Sequence, residues 1–167
     1  MTSDVFGGFT YFRGSRDLFS NTRNTPSLTG WDASYTLHLT NHFGVTGAAT
    51  GAYGPVRRTS GSDSNVQFHS FVAGPQLSLI RTHSVDVFAR ALAGVGIIDS
   101  GINSRAFRGG DVSDSAFTAA FGGGVDWRLT NRFSYRILQP EYVMTRFPGG
   151  VQHSLQVSTG LIIRFGR

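Results

Sequence analysis

Along most of this chain, apolar and polar residues change places at every second position. From His153 to Phe165 one parity carries Leu155, Val157, Thr159, Leu161, Ile163 and Phe165. The other carries Ser154, Gln156, Ser158, Gly160, Ile162 and Arg164. Successive side chains of a strand point to opposite faces, so this spacing predicts a strand with one apolar and one polar face. Gly30–Thr40 alternates without a break, with Trp31, Ala33, Tyr35, Leu37 and Leu39 against Asp32, Ser34, Thr36, His38 and Thr40. The same reading predicts strands over Asp4–Arg13, Phe43–Tyr53, Val85–Gly96, Ala116–Leu129 and Phe133–Arg146. Val66–Ser78 is less regular, because Phe68 and Val72 share one parity and Phe71 and Leu77 the other. A parity slip near Gly74-Pro75 would reconcile them, since proline in a ladder favours a bulge. No segment carries a helical period, so the expectation is eight strands in an all-β chain.

The connections sort into two kinds. Thr40–His42, Leu79–Ser84 and Thr130–Arg132 are short, whereas Gly14–Thr29, Gly54–Asn65 and Ile97–Ser115 are long and polar, with Phe147–Gly150 the shortest of that set. Short turns on one side and longer loops on the other, with an even strand number, is the pattern of outer-membrane barrels. No run of about 18 apolar residues is present, so strands would have to do the crossing. In lipid every backbone polar group needs a partner, which requires the last strand to pair with the first. The predicted architecture is an eight-stranded antiparallel up-and-down transmembrane β-barrel, one domain over residues 1–167.

Composition strengthens this picture. Only 15% of residues are charged and lysine is absent, against about 25% charged residues in soluble domains. The net charge of +5 comes from arginines scattered singly apart from Arg57-Arg58, a poor basis for a nucleic-acid face. No cysteine is available for a disulfide scaffold or a thiolate metal site. Met1 leads straight into a strand, so the chain is expected to be a mature domain whose signal peptide has been removed. Aromatic residues gather at both ends of the strands: Tyr11, Trp31, Tyr53, Tyr142 and Phe147 toward the long loops, Phe43, Trp127, Phe133 and Phe165 toward the short turns. Two such girdles around a band of Val, Ala, Leu and Ile suit the two interfaces of a bilayer.

The closing residues Thr159-Gly160-Leu161-Ile162-Ile163-Arg164-Phe165 resemble the C-terminal signal of outer-membrane proteins, in which a polar residue, Gly, a hydrophobic residue and a final aromatic stand at fixed spacing. Thr159, Gly160, Ile163 and Phe165 fill those positions. The whole chain is similar to the small eight-stranded OmpA/OmpX-like barrels, often labelled porin-like. That resemblance implies residence in a Gram-negative outer membrane with periplasmic termini and extracellular long loops. It also implies insertion by the barrel assembly machinery, contact with lipid and lipopolysaccharide, and a monomer without cofactor. The sequence departs from the full OmpA arrangement, so a peptidoglycan-binding domain after the barrel is not expected.

An eight-stranded barrel is just wide enough for its side chains to fill. The parity opposite the apolar wall carries Asp32, His38, Asp86, Arg90, Asp126, Arg128, Arg136 and Arg164. Counting from the short turns puts Arg90, Asp126 and Arg136 at similar depth and predicts one ion-pair cluster, with Asp4 and Arg164 pairing where first and last strands meet. Buried charges demand such partners. Glu141 stands on the opposite parity to Arg136 and joins the lumen only if Pro140 marks a one-residue bulge.

Three functional readings follow. A filled barrel with a structural or surface-interaction role is the first, and its loop arginines (Arg16, Arg23, Arg57, Arg58, Arg105 and Arg108) could bind lipopolysaccharide phosphates. A narrow porin-like channel for small solutes or ions, gated by rearranged ion pairs, is the second. The third is a soluble lipocalin-like carrier, for which Gly30-Trp31 is a faint cue, but the face opposite the apolar one is mainly Ser, Thr, Gly and Ala rather than charged. Catalysis and metal binding find little support: His153-Ser154 are adjacent and so point to opposite faces, and no carboxylate cluster occurs.

Overall fold

The fold is given by a computed structural model describing residues 2–14, 27–57, 63–100, 114–147 and 150–166. Eight strands follow one another: β1 (Thr2–Gly14), β2 (Ser27–His38), β3 (Phe43–Arg57), β4 (Asp63–Arg81), β5 (Val85–Ser100), β6 (Asp114–Arg128), β7 (Phe133–Phe147) and β8 (Gly150–Phe165). Each pairs antiparallel with its neighbour, and β1 pairs with β8, so the sheet closes and leaves no edge.

Laterally paired residues climb as they go round. The row starting at His38 runs through Gly44, Gln76, Arg90, Gly122, Glu141, Gln156 and Phe12, and returns to β2 at Leu28, ten residues away from its start. This stagger is what tilts the strands of a small barrel and sets its width. It requires tight curvature where the sheet closes. There Gly8 of β1 faces Gly160 of β8, and a Cβ on Gly160 would lie 2.4 Å from the Gly7 carbonyl oxygen. Only glycine fits at that seam.

The three short connections use one device. Thr40 accepts the Phe43 amide at 3.0 Å, Thr130 accepts the Phe133 amide at 3.0 Å, and Thr82 accepts the Val85 amide at 3.1 Å. Threonine hydroxyls thereby close the turns by mimicking backbone acceptors. Leu39-Thr40-Asn41-His42-Phe43 and Leu129-Thr130-Asn131-Arg132-Phe133 are the same turn written twice.

Three details differ from the sequence expectation. No parity slip occurs at Gly74-Pro75: β4 keeps Phe68, Ser70, Val72, Gln76 and Ser78 inward, and its irregularity falls between Ser78 and Ile80. The slip was required only by the assumption that Phe68 and Val72 could not face the lumen. The β3–β4 connection is confined to residues 58–62, because pairing runs past Gly54-Pro55 to Arg57 and Asp63. A proline forfeits one ladder donor, and the strand continues on either side of it. In β7 the extra residue sits at Ile137–Leu138, not at Pro140, and both of these side chains face outward.

The core lies inside the barrel and has two halves. Toward the long connections Phe12, Ala52, Phe68, Val72, Leu92, Ala120 and Val143 form a buried apolar cluster. Toward the short turns the buried residues are chiefly polar or charged. The outer wall is apolar throughout its breadth: Phe9, Phe71, Val95, Phe121, Leu155 and Leu161 are all about half exposed or more.

Candidate functional site

The charged half of the lumen is built by inward positions on six strands. At the short-turn end Asp4 of β1 receives two hydrogen bonds from Arg164 of β8, 2.9 Å from Nε and 3.2 Å from Nη2. The same carboxylate lies 2.9 Å from Nε2 of His38 on β2. One aspartate thus ties β2, β1 and β8 together across the closing seam. Nearby, Arg81 donates to Asp86 at 3.1 Å and to the Asn41 carbonyl at 3.0 Å, linking two turns. Arg128 is partly exposed at this mouth, and among the described residues it makes no ion pair.

Deeper in, Arg136 of β7 grips Asp126 of β6 with two parallel bonds of 2.7 and 2.9 Å. Its guanidinium lies between the rings of Phe6 and Phe88, 4.5 and 4.3 Å from their centroids. Desolvated contacts of this kind are worth about 2 kcal/mol each at the favourable end. The remaining Arg136 nitrogen donates to Gln139, whose amide nitrogen donates to Asp32 at 3.0 Å and to Glu141 at 3.2 Å. Arg90 of β5 holds Glu141 with a second bidentate pair and stands 4.0 Å from Asp32. The chain of contacts Asp126–Arg136–Gln139–Asp32/Glu141–Arg90 therefore crosses the lumen from one wall to the other. Two buried atoms, Asp86 Oδ1 and Arg90 Nη1, have no hydrogen-bond partner among the described residues.

This arrangement departs from the expected Arg90–Asp126–Arg136 cluster in one link. Arg90 goes to Glu141, not Asp126. Counting from the turns treats rows as level, whereas the climb around the barrel puts Arg90 in one row with Gly122 and Glu141, and Asp126 in one row with Arg136. Glu141 reaches the lumen because the bulge at Ile137–Leu138 places two consecutive residues outside and shifts every later residue of β7 by one parity. Gln139 was missed altogether as a connector, and the only sequence signal for it is that same parity shift.

Beside this layer the other polar contacts are hydroxyl and amide. Thr36 and Thr46 lie 2.8 Å apart, Thr46 donates to Gln76 at 3.0 Å, and Ser158 donates to Thr10 at 2.9 Å. Beyond them the apolar cluster fills the barrel.

On the outside, Tyr11, Trp31, Tyr53 and Tyr142 face outward at the loop ends, and Phe43, Trp127, Phe133 and Phe165 at the turn ends. The Phe147 side chain lies outside the described residues, as do the Arg57 side chain and the whole of Arg16, Arg23, Arg58, Arg105 and Arg108. Of the closing motif, Ile163 and Phe165 face outward, Gly160 lies at the seam, and Thr159 donates to the Arg136 carbonyl at 2.8 Å. His153 faces outward, hydrogen-bonded to the Tyr142 hydroxyl, while its neighbour Ser154 belongs to the inward parity.

A closed eight-stranded barrel with an apolar outer wall and an ion-paired lumen defines a structural class, and comparison with solved structures finds that class. The attachment invasion locus protein Ail of Yersinia pestis aligns over 98% of both chains at 20% identity with a TM-score of 0.63, and is also known in complex with the heparin analogue sucrose octasulfate. Neisserial surface protein A aligns over 99% of both chains at 12% identity with a TM-score of 0.71. The outer membrane protein OprG of Pseudomonas aeruginosa aligns over 99% of this chain and 96% of its own at 13% identity with a TM-score of 0.64. No family model and no curated protein matches the sequence. The chain shares the fold of these small outer-membrane barrels.

Proposed function

We propose that this chain is an integral outer-membrane β-barrel, a single-domain monomer without catalytic activity, whose filled lumen makes it a rigid carrier for surface-exposed loops. The observation that carries this reading is the outer wall. Large apolar side chains such as Phe9, Phe71, Leu79, Phe117, Trp127 and Leu161 stand outward all around a barrel most of whose described charged groups are turned inside. In water that wall would be an exposed apolar surface far beyond what soluble monomers carry, whereas lipid is its natural solvent. Termini and short turns then lie on the periplasmic side and the longer connections outside. Thr159, Gly160, Ile163 and Phe165 serve the assembly machinery in this scheme, and the two aromatic girdles sit at the interfaces. That Ail, of the same fold, has been solved with a heparin analogue favours a surface-interaction role over a purely mechanical one.

Refolding into phospholipid vesicles tests this reading: the unheated protein should run at a different position from the boiled sample on a gel. Identical migration, or solubility without detergent, would overturn it.

The crossing network of ionisable groups in the lower lumen favours a narrow channel as the second reading, since exchange of partners among Arg90, Glu141 and Asp32 could open a path. The apolar cluster above it argues for closure. Planar-bilayer recordings should stay silent for the wild type and for Asp126→Ala. Steady unitary currents from either would favour the channel instead.

A further inference from the structure

The buried charges of the lower lumen do not balance. Its central layer holds three carboxylates, Asp32, Asp126 and Glu141, against two guanidiniums, Arg90 and Arg136, all of them buried. Asp126 receives two parallel bonds from Arg136, and Glu141 receives two from Arg90. Asp32 is the carboxylate left over. It is 1% exposed, and the nearest described guanidinium, that of Arg90, stands 4.0 Å away, beyond hydrogen-bonding reach. Its contacts are neutral instead: Gln139 Nε2 lies 3.0 Å from Oδ2, and the Thr50 hydroxyl 3.4 Å from Oδ1. The same Gln139 nitrogen reaches Glu141 at 3.2 Å, so one amide group serves two neighbouring carboxyl groups. Among the described residues, no compensating charge comes from the adjacent strands. In its lateral row Asp32 meets Thr50 of β3 and Ser70 of β4 on one side, and Gly8 of β1 and Gly160 of β8 on the other. Toward the short turns Arg164 and His38 are engaged by Asp4, and Arg81 by Asp86.

A carboxylate with no guanidinium bonded to it, taken out of water beside a second carboxylate, sheds its charge by binding a proton. We propose that Asp32 is a proton-binding site, a neutral carboxylic acid inside the folded barrel at neutral pH. Its Oδ1 carries the proton toward the Thr50 hydroxyl, and its Oδ2 accepts from Gln139. The proton makes the layer electrically neutral, with two guanidiniums and two carboxylates ionised. It also turns the one group without a bonded ionic partner into a hydrogen-bond donor within the network that plugs the lumen. The site follows from the contacts of the lumen and not from whether the barrel conducts. Its consequence is a barrel that weakens as pH rises. Above the ordinary carboxyl range the folded chain holds one proton more than the unfolded chain, so stability falls with pH until Asp32 ionises.

The test uses the full chain refolded in phospholipid vesicles, with the heat-dependent gel shift recorded for every variant. Infrared spectra in heavy water at neutral pH should show the carbonyl stretch of a protonated carboxyl group. Asp32→Asn, which copies the neutral acid in shape and hydrogen bonding, should remove it. No such band in the wild type, or one that survives Asp32→Asn, would overturn the assignment. Urea unfolding gives an independent reading. Between about pH 5 and about pH 7 the folding constant of Asp32→Asn relative to the wild type should rise about tenfold per pH unit, because the wild type alone releases the Asp32 proton on unfolding. Glu141→Gln, which removes an ionised partner from Arg90, should instead lower the folding constant at both pH values. An Asp32→Asn ratio that does not change with pH, or a loss as large as that of Glu141→Gln, would show Asp32 to be ionised and overturn the site. An Asp32→Asn chain that gives no heat-shifted species would do the same.

Discussion

The two halves of the lumen solve the same packing problem with opposite chemistry. Near the short turns the space is filled by Asp4, Asp32, Asp126, Glu141, Arg90, Arg136 and Arg164, every one of them held by another charged group. Near the loops it is filled by Phe12, Phe68, Val72, Leu92 and Val143, with Phe12 and Phe68 meeting edge to face at 5.6 Å. An apolar filling tolerates rotation and shift, because dispersion has little direction. A paired charge does not, because a misplaced partner leaves a buried ion. The lower half is therefore the part of the barrel that fixes strand register, and the upper half is the part that adds cohesion.

The largest effect expected from this contrast falls on the charged half. Glu141→Ala should lower stability by about 3–5 kcal/mol in urea unfolding from lipid vesicles, since it leaves Arg90 buried with only Asp32 nearby, at 4.0 Å. Combining Arg90→Met with Glu141→Leu should recover most of that loss, because a matched apolar pair replaces a matched charged one. A double variant no better than Glu141→Ala would mean that the pair contributes more than mutual compensation. In the apolar half, Leu92→Ala should destabilise by about 3 kcal/mol through cavity formation, with the unfolding midpoint unaffected by which anion or cation is in the buffer. A smaller loss would indicate that the upper lumen collapses around the deletion.

How much of this was legible in the sequence depends on what each feature leaves behind in the residue pattern. Alternation marked the eight strands, because a two-faced wall writes its period directly into β2 and β8. Closure followed from the same reading. What the pattern did not carry was the stagger between strands, and so Arg90 was assigned to a level row with Asp126 when its climbing row leads to Glu141. Pro140 drew the expected bulge to itself, whereas the extra residue lies at Ile137–Leu138, where two apolar side chains in succession leave no polar mark. Phe68 and Val72 were read against a lumen assumed polar throughout, which made β4 look irregular when its inward face is merely apolar. Short-range pattern gave the walls, and long-range register gave the site.

The measurement that tests the central claim most directly uses the two tryptophans the chain contains, Trp31 and Trp127. Both face outward, one in each girdle. With the protein refolded into vesicles of brominated phospholipid, fluorescence from each single-tryptophan variant should be quenched most by bromines placed near the headgroups. Aqueous iodide should have little effect on either. Strong quenching by iodide with no response to brominated acyl chains would place the wall in water and contradict the account.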